Sequence, residues 1–205
     1  MATSSTLQTL TPNITFTPDW SPGLGGGVWS TAVLLTNYFQ THPQTFTEML
    51  SKKSALELGS GNGYLSVVLS TIVKDLNITC TDTPSHLPLI SKTFSENSLS
   101  SSPSRTITVS SLLWGTETLP STFDFIFGTD VVYRSHLYLP FLSCLTSHLS
   151  PLGTAIIGIC MTDTTSDFFE ECKKANFRYQ RISDSKGCDG MRGVTFSLYV
   201  IEWKP

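Results

Sequence analysis

From Ala55 onward the chain alternates short apolar runs with segments of helical spacing, and this alternation narrows the possible folds more than any other feature. "ALELG" reads as a strand, "YLSVVLSTIVK" as a helix, "NITCTD" as a strand, "PLISKTFSENS" as a helix and "RTITVS" as a strand. "FDFIFGTD" is the next strand. A helix that Pro140 can open at its first turn and "SPLG" closes then leads to the strand "TAIIGICM". Strand and helix in turn predict an α/β fold, a parallel sheet with helices on both faces. The tail breaks the rhythm: the helix "SDFFEECKKA" precedes two strands, "FRYQRIS" and "VTFSLYVIEW", joined by the short glycine-bearing loop "DSKGCDGMRG". A connection that short holds no crossover helix, so the last two strands are expected to be antiparallel and the seven-stranded sheet to end in a hairpin.

The chain of 205 residues suits one domain. Residues 1–27, rich in Thr, Ser, Pro and Gly, are expected to form an amino-terminal arm, extended or a short edge strand, and residues 28–205 the domain. "SPGLGGG" breaks the chain, after which Val28, Ala32, Leu35 and Phe39 recur at helical spacing in a helix expected to end near His42 and Pro43. The 13 basic and 16 acidic residues, spread without long runs, give no footprint for nucleic acid or an anionic membrane. The five cysteines are odd in number and form no CxxC pair, as expected of reduced thiols in a cytoplasmic protein. "MATSSTLQTL" lacks the basic and apolar regions of a secretory signal, and no apolar run approaches the ~20 residues of a membrane helix. His42, His86, His136 and His148 make no ligand-spaced set, so no metal is expected, and no serine sits in a GxSxG elbow.

In an open parallel sheet, ligands lie beyond the carboxyl ends of the strands, where the strand order reverses. The first strand leaves through "ELGSGNGYL", whose spacing is Glu57-x-Gly59-x-Gly61-x-Gly63, with Ser60 between the first two glycines. The dinucleotide pattern GxGxxG fails because Tyr64 stands at its last position, and no Gly-Lys-Ser/Thr follows to make a P-loop. A carboxylate at Glu57 repels a pyrophosphate and attracts a cationic amine. S-adenosylmethionine carries such an amine, a sulfonium and no phosphate, and the glycines permit close backbone approach to it. Asp82, ending the second strand, is placed to accept hydrogen bonds from ribose hydroxyls. Asp130, ending "FDFIFGTD", faces the same crevice by topology, whereas Asp124 lies near the opposite end of that strand and reads as a solvated or backbone-bonded acid.

These residues resemble the seven-strand, class I S-adenosylmethionine-dependent methyltransferases with their Rossmann-like sheet, over nearly the whole chain. Within that fold the chain is similar to the methyltransferase-like branch that methylates lysine side chains of non-histone proteins. "GGGVWSTAVLLTNYF" looks like the branch's helix before the glycine motif, with Trp29 near the cofactor. "LLWG" looks like the motif after the third strand, with Trp114 by the adenine, and "DVVY" like the Asp-x-x-Tyr motif ending the fourth. Asn62 and Tyr64 depart from the smaller or aliphatic residues more usual there. The resemblance implies S-adenosyl-L-methionine bound by Trp29, Glu57, Gly59, Ser60, Gly61, Gly63, Asp82, Trp114 and Asp130, with Asp130 and Tyr133 catalytic. It implies a monomer acting on a protein substrate, among which relatives choose chaperones, elongation factors and AAA-type ATPases. Nucleic-acid amine methylation would bring Asn/Asp-Pro-Pro-Tyr/Phe, and "DVVY" has no proline. A small-molecule methyltransferase and a non-catalytic cofactor-binding module are the alternatives. Lys186 and Arg192, in the last loop, are candidate contacts to a target protein or parts of a solvated hairpin turn.

Overall fold

Along the strand Phe123–Thr129 (β4), Phe125 and Phe127 face one side of a sheet and Ile126 the other, and all three are fully buried. A strand buried on both faces needs helices on both, because successive side chains point to opposite sides. The computed structural model describes residues 14–182 and 195–205. The other strands are Ser54–Leu58 (β1), Asn77–Asp82 (β2), Ile107–Ser111 (β3), Leu149–Cys160 (β5), Phe177–Arg181 (β6) and Phe196–Trp203 (β7). The helices are Ser30–Thr41 (α1), Pro43–Leu50 (α2), Tyr64–Ile72 (α3), Leu87–Glu96 (α4), Tyr138–His148 (α5) and Ser166–Lys174 (α6).

The strands lie in the order β3-β2-β1-β4-β5-β7-β6. β3, β2, β1, β4 and β5 are mutually parallel, and β7 runs antiparallel between β5 and β6. The expected α/β sheet with its antiparallel end is the one observed. Chain order reverses between β1 and β4, which pair directly, Ala55 with Phe125 and Glu57 with Phe127, so the crevice opens where both strands end. One core layer joins Leu35, Phe39, Phe46, Val68, Ile90, Phe125 and Phe127 under α1 to α4. The other joins Leu58, Ile126, Phe141, Leu145, Ile157 and Phe168 under α5 and α6.

α1 ends at Thr41 with His42 as its C-cap, as expected, and Pro43 then starts a second helix, α2, in whose first turn its missing N–H is not needed. One feature differs from the sequence reading. "SPLG" does not separate α5 from a strand starting at Thr154. β5 begins at Leu149, opposite Phe123, and the next pairing is Thr154 with Phe125, so residues 150–153 bulge out of the ladder. The arm is tied down where it enters the described residues. Ile14 and Phe16 are buried, Phe16 packs edge-on against Tyr64, and Asn97 exchanges hydrogen bonds with the Thr15 backbone. The loop "DSKGCDGMRG", with Lys186 and Arg192, lies outside the described residues.

Candidate active site

β1 leaves the sheet through a turn in which Gly59, Gly61 and Gly63 have φ of +63°, +58° and +76°. L side chains rarely adopt this left-handed region, which is why the turn alternates glycine with other residues. The neighbours require the same choice. A Cβ on Gly59 would meet Val131 at 2.8 Å and Trp114 at 3.3 Å, and one on Gly61 would meet the Gly25 carbonyl oxygen at 2.6 Å. The turn is stitched to β2. The Ser60 N–H and hydroxyl both donate to the Thr81 carbonyl, at 3.0 and 2.8 Å, and the Gly61 N–H donates to Asp82 Oδ2 at 2.7 Å.

Glu57 and Ser60 are both engaged in that framework. Glu57 is 2% exposed, and its carboxylate accepts from the Ser66 N–H at 3.1 Å, from the Ser66 hydroxyl and from the Cys80 thiol at 3.5 Å. Ser66 is in the first turn of α3, whose N-cap is a glycine without a side chain, so Glu57 supplies from β1 the acceptor that the helix start lacks. Burial pushes the Glu57 carboxyl up to about 7 against the opposing Ser66 and Cys80 hydrogen bonds. These contacts tie Glu57 to the turn and to the start of α3. Ser60, 9% exposed with its hydroxyl on Thr81, is likewise a brace. Asn62 is buried, its Oδ1 accepting from the Tyr64 N–H at 3.0 Å while its Nδ2 lacks a partner.

Asp82 stands at the end of β2 as expected, and the structure adds His86 to it. Asp82 Oδ1 accepts from the Thr83 N–H at 2.7 Å and lies 3.2 Å from His86 Nδ1. Over this cluster runs the strap Gly23–Gly27, whose Gly25 backbone touches both Gly61 and the imidazole. Trp29 closes the strap: its indole N–H donates to the Leu24 carbonyl at 2.9 Å, and its ring meets Trp20 edge-on. Trp29 stays 45% exposed, so it lines the rim rather than the core. Trp114 packs against Phe141 on the opposite side of the turn, beside Gly59.

Asp130 completes the crevice from β4. It is a non-glycine residue at φ +54°, a conformation that aspartate tolerates better than most and that marks local strain. Its N–H donates to the Gly158 carbonyl at 2.9 Å, and its Oδ2 accepts from the Thr31 hydroxyl at 2.5 Å. Burial raises the carboxyl above the ordinary carboxylate range; Thr31 opposes the shift and the charge of Asp163 adds to it. Tyr133 is 36% exposed at the mouth, with the Arg134 guanidinium 5.7 Å from its ring centre. Thr31, His86 and Gly25 were not read from the sequence. Thr31 and Asp130 are 99 positions apart and leave no local signal, whereas Asp82 and His86 stand four apart, a spacing that brings side chains together on one turn.

S-adenosylmethionine fits this constellation. The left-handed glycines keep the turn free of side chains where Val131, Gly25 and Phe94 pack against it, and the carboxylates of Asp82 and Asp130 are acceptors for hydroxyl and ammonium groups. Sheet order, switch point and glycine turn together define a class I S-adenosylmethionine-dependent methyltransferase. The ribosomal protein L11 methylase of Lactobacillus delbrueckii subsp. bulgaricus superposes with a TM-score of 0.62 at 16% identity, covering 87% of this chain and 81% of that one. A family model described as lysine methyltransferase matches residues 9–175, and the chain belongs to that family. EEF1A lysine methyltransferase 3 of Xenopus tropicalis is 28% identical over 168 residues, 80% of this chain and 71% of its own length. Protein N-lysine methyltransferase METTL21A of Danio rerio is 29% identical over 152 residues, 72% of this chain and 66% of its own. The activity of the family is S-adenosylmethionine-dependent methylation of protein lysine. Among the described residues no helix is long and apolar enough to cross a membrane.

Proposed function

We propose that the crevice between the ends of β1 and β4 takes a lysine side chain of a translation elongation factor, with Asp130 receiving the amine and Tyr133 walling its approach. The reading of the target rests on the relative whose name specifies EEF1A. Chaperones and AAA-type ATPases are the comparison substrates. The bound cofactor supplies an electrophilic methyl group on its sulfonium. The chain's task is to present a neutral amine in line with that group, since most of the gain in such a displacement comes from holding the reactants close and aligned. A free lysine has a pKa of about 10.4, so its ammonium must lose a proton before it can react. Partial burial beside a second positive charge favours that loss.

The observation that carries the reading is the state of Asp130. Its carboxylate is anchored through one oxygen by Thr31, at the switch point of the sheet, in a left-handed backbone conformation. An anchored carboxylate has acceptor capacity left for the amine N–H groups and fixes where the nitrogen lone pair points. Tyr133 follows three residues later at the exposed mouth, where an aromatic wall suits the aliphatic stem of lysine. Trp29 and Trp114 bound the cofactor's side of the crevice in this reading, and Asp82 takes the ribose. Cytoplasmic residence is part of the same proposal, supported by the free cysteines Cys80, Cys144 and Cys172, all buried. Purified protein, isotopically labelled cofactor and recombinant elongation factor, chaperone and ATPase test the assignment. Label on a lysine of the elongation factor, absent with Asp130→Ala, is the expected result; label only on another target overturns the substrate, and undiminished label with Asp130→Ala overturns the role of Asp130.

A further inference from the structure

Arg134 is exposed at the mouth of the crevice, next in the chain to the aromatic wall of Tyr133. Its guanidinium rests against the Tyr133 ring, 5.7 Å from the ring centre, and no carboxylate of the described residues lies within ion-pair distance of it. By contrast, Lys53, Lys173, Lys174 and Arg178 each stand 2.6–3.8 Å from a carboxylate. The local sequence offers Arg134 no such match, because residues 131–162 contain neither Asp nor Glu. The backbone beneath the charge is fixed. Val131 and Val132 are buried, the Thr164 hydroxyl donates to the Val132 carbonyl at 2.8 Å, and the Arg134 carbonyl accepts from the Leu137 N–H at 3.0 Å.

A permanent cation at this lip works against the entry of a lysine ammonium, since like charges repel. The repulsion is offset when the target brings an anion of its own. A guanidinium presents its donors as a planar fork that matches a carboxylate bidentately, and a docked protein shields the pair from water, which gives it more weight than an exposed surface pair has. We propose that Arg134 is a specificity-determining residue: it selects target lysines that have an aspartate or glutamate beside them, the carboxylate pairing with Arg134 while the lysine passes Tyr133 toward Asp130. This rests on the crevice taking a lysine, and the test separates the two assignments.

Methyl-transfer rates are measured on three synthetic peptides of common sequence whose single lysine is flanked by Glu, Gln or Arg, with the wild type, Arg134→Lys, Arg134→Gln and Arg134→Glu. The wild type is expected to show a KM about fivefold lower for the Glu-flanked than for the Gln-flanked peptide at similar kcat, a preference that shrinks as salt is raised. Arg134→Gln loses the preference, Arg134→Lys keeps part of it, and Arg134→Glu reverses it in favour of the Arg-flanked peptide. Calorimetric affinity for S-adenosylhomocysteine is expected to stay the same in all three variants. A distorted loop would raise KM for every peptide alike, so a uniform change overturns the proposal, as does a wild type indifferent to the flank. If only an intact protein is methylated, each carboxylate beside its labelled lysine is replaced by the amide. A KM raised in the wild type and unmoved in Arg134→Gln supports the pairing, and a KM unmoved in the wild type overturns it. Indifference to the flank with lysine still labelled removes Arg134 alone; no label on any lysine removes the lysine reading and this preference with it.

Discussion

Asp124 and Asp130 stand at opposite ends of β4, and their circumstances differ in every respect that matters for chemistry. At the amino end, Asp124 Oδ2 accepts from both the N–H and the hydroxyl of Ser54 at 2.9 Å, and Lys53 lies 3.8 Å from its other oxygen. At the carboxyl end, Asp130 sits in left-handed backbone, half-buried, anchored through the Thr31 hydroxyl. The same contrast extends along the two edges of the sheet. The carboxyl edge gathers Gly59, Gly61, Gly63 and Asp130 at positive φ and, in Asn62 and His86, buried nitrogens without partners. The amino edge carries a groove of about 420 Å³ lined by Met49, Lys53, Asp124 and Leu152, among others. Concavity alone therefore does not locate the chemistry; the carboxyl edge is set apart because left-handed backbone and unmet hydrogen-bonding capacity coincide there with the switch point of the sheet.

The sharpest break in the comparison comes from matched substitutions. Asp130→Asn keeps a side chain that tolerates the left-handed region, so the fold stands while methyl transfer falls by about a hundredfold or more and calorimetric cofactor affinity changes by only a few-fold. Transfer at the wild-type rate would place the amine-orienting group elsewhere. Gly61→Ala should come next, because a Cβ there meets the Gly25 carbonyl at 2.6 Å on a backbone at φ +58°. A loss of cofactor affinity of at least about tenfold is expected, with destabilisation of about 1–2 kcal/mol in denaturant titration.

Glu57 tests the framework beneath the turn. Folding raises its carboxyl from 4.5 to about 7, so folding favours the protonated form. The stability it contributes is fully present below 4.5 and is lost as pH rises through about 7. Glu57→Gln keeps an acceptor for Ser66 without the buried charge, and the fall in melting temperature between about pH 5 and about pH 8 should shrink in that variant. An unchanged slope would assign the pH dependence to another group. The smallest effect belongs to the amino edge: Asp124→Asn is expected to cost about 1 kcal/mol of stability through its Ser54 contacts and leave methyl transfer unaltered.

Elements with strong periodicity were legible because their pattern is local. The run from Tyr64 to Ile72 is buried along nearly its whole length, and β4 reads as an apolar strand from its residues alone. Pro43 marked the end of α1 correctly, whereas "SPLG" misled, because proline and glycine signal a change of backbone without saying whether the chain turns or bulges within a strand. The glycine spacing marked the turn after β1, and the structure adds that all three glycines lie in the left-handed region. Glu57 was legible as part of the motif but not as a support of α3, because whether a side chain at the end of β1 faces the crevice or the helix depends on what packs above it.

The order of apolar and polar residues, the spacing of three glycines and the placement of Asp82 and Asp130 at strand ends were enough to determine the sheet, its switch point and the kind of cofactor. Only the tertiary structure decided which carboxylates are free to act. It buried Glu57 under Ser66, set Thr31 against Asp130 and laid Gly25 over Gly61 and His86. The reason is one of range. Propensity and periodicity act over a few residues, whereas the hydrogen-bonding capacity left to a side chain is settled by neighbours that arrive from distant segments of the chain.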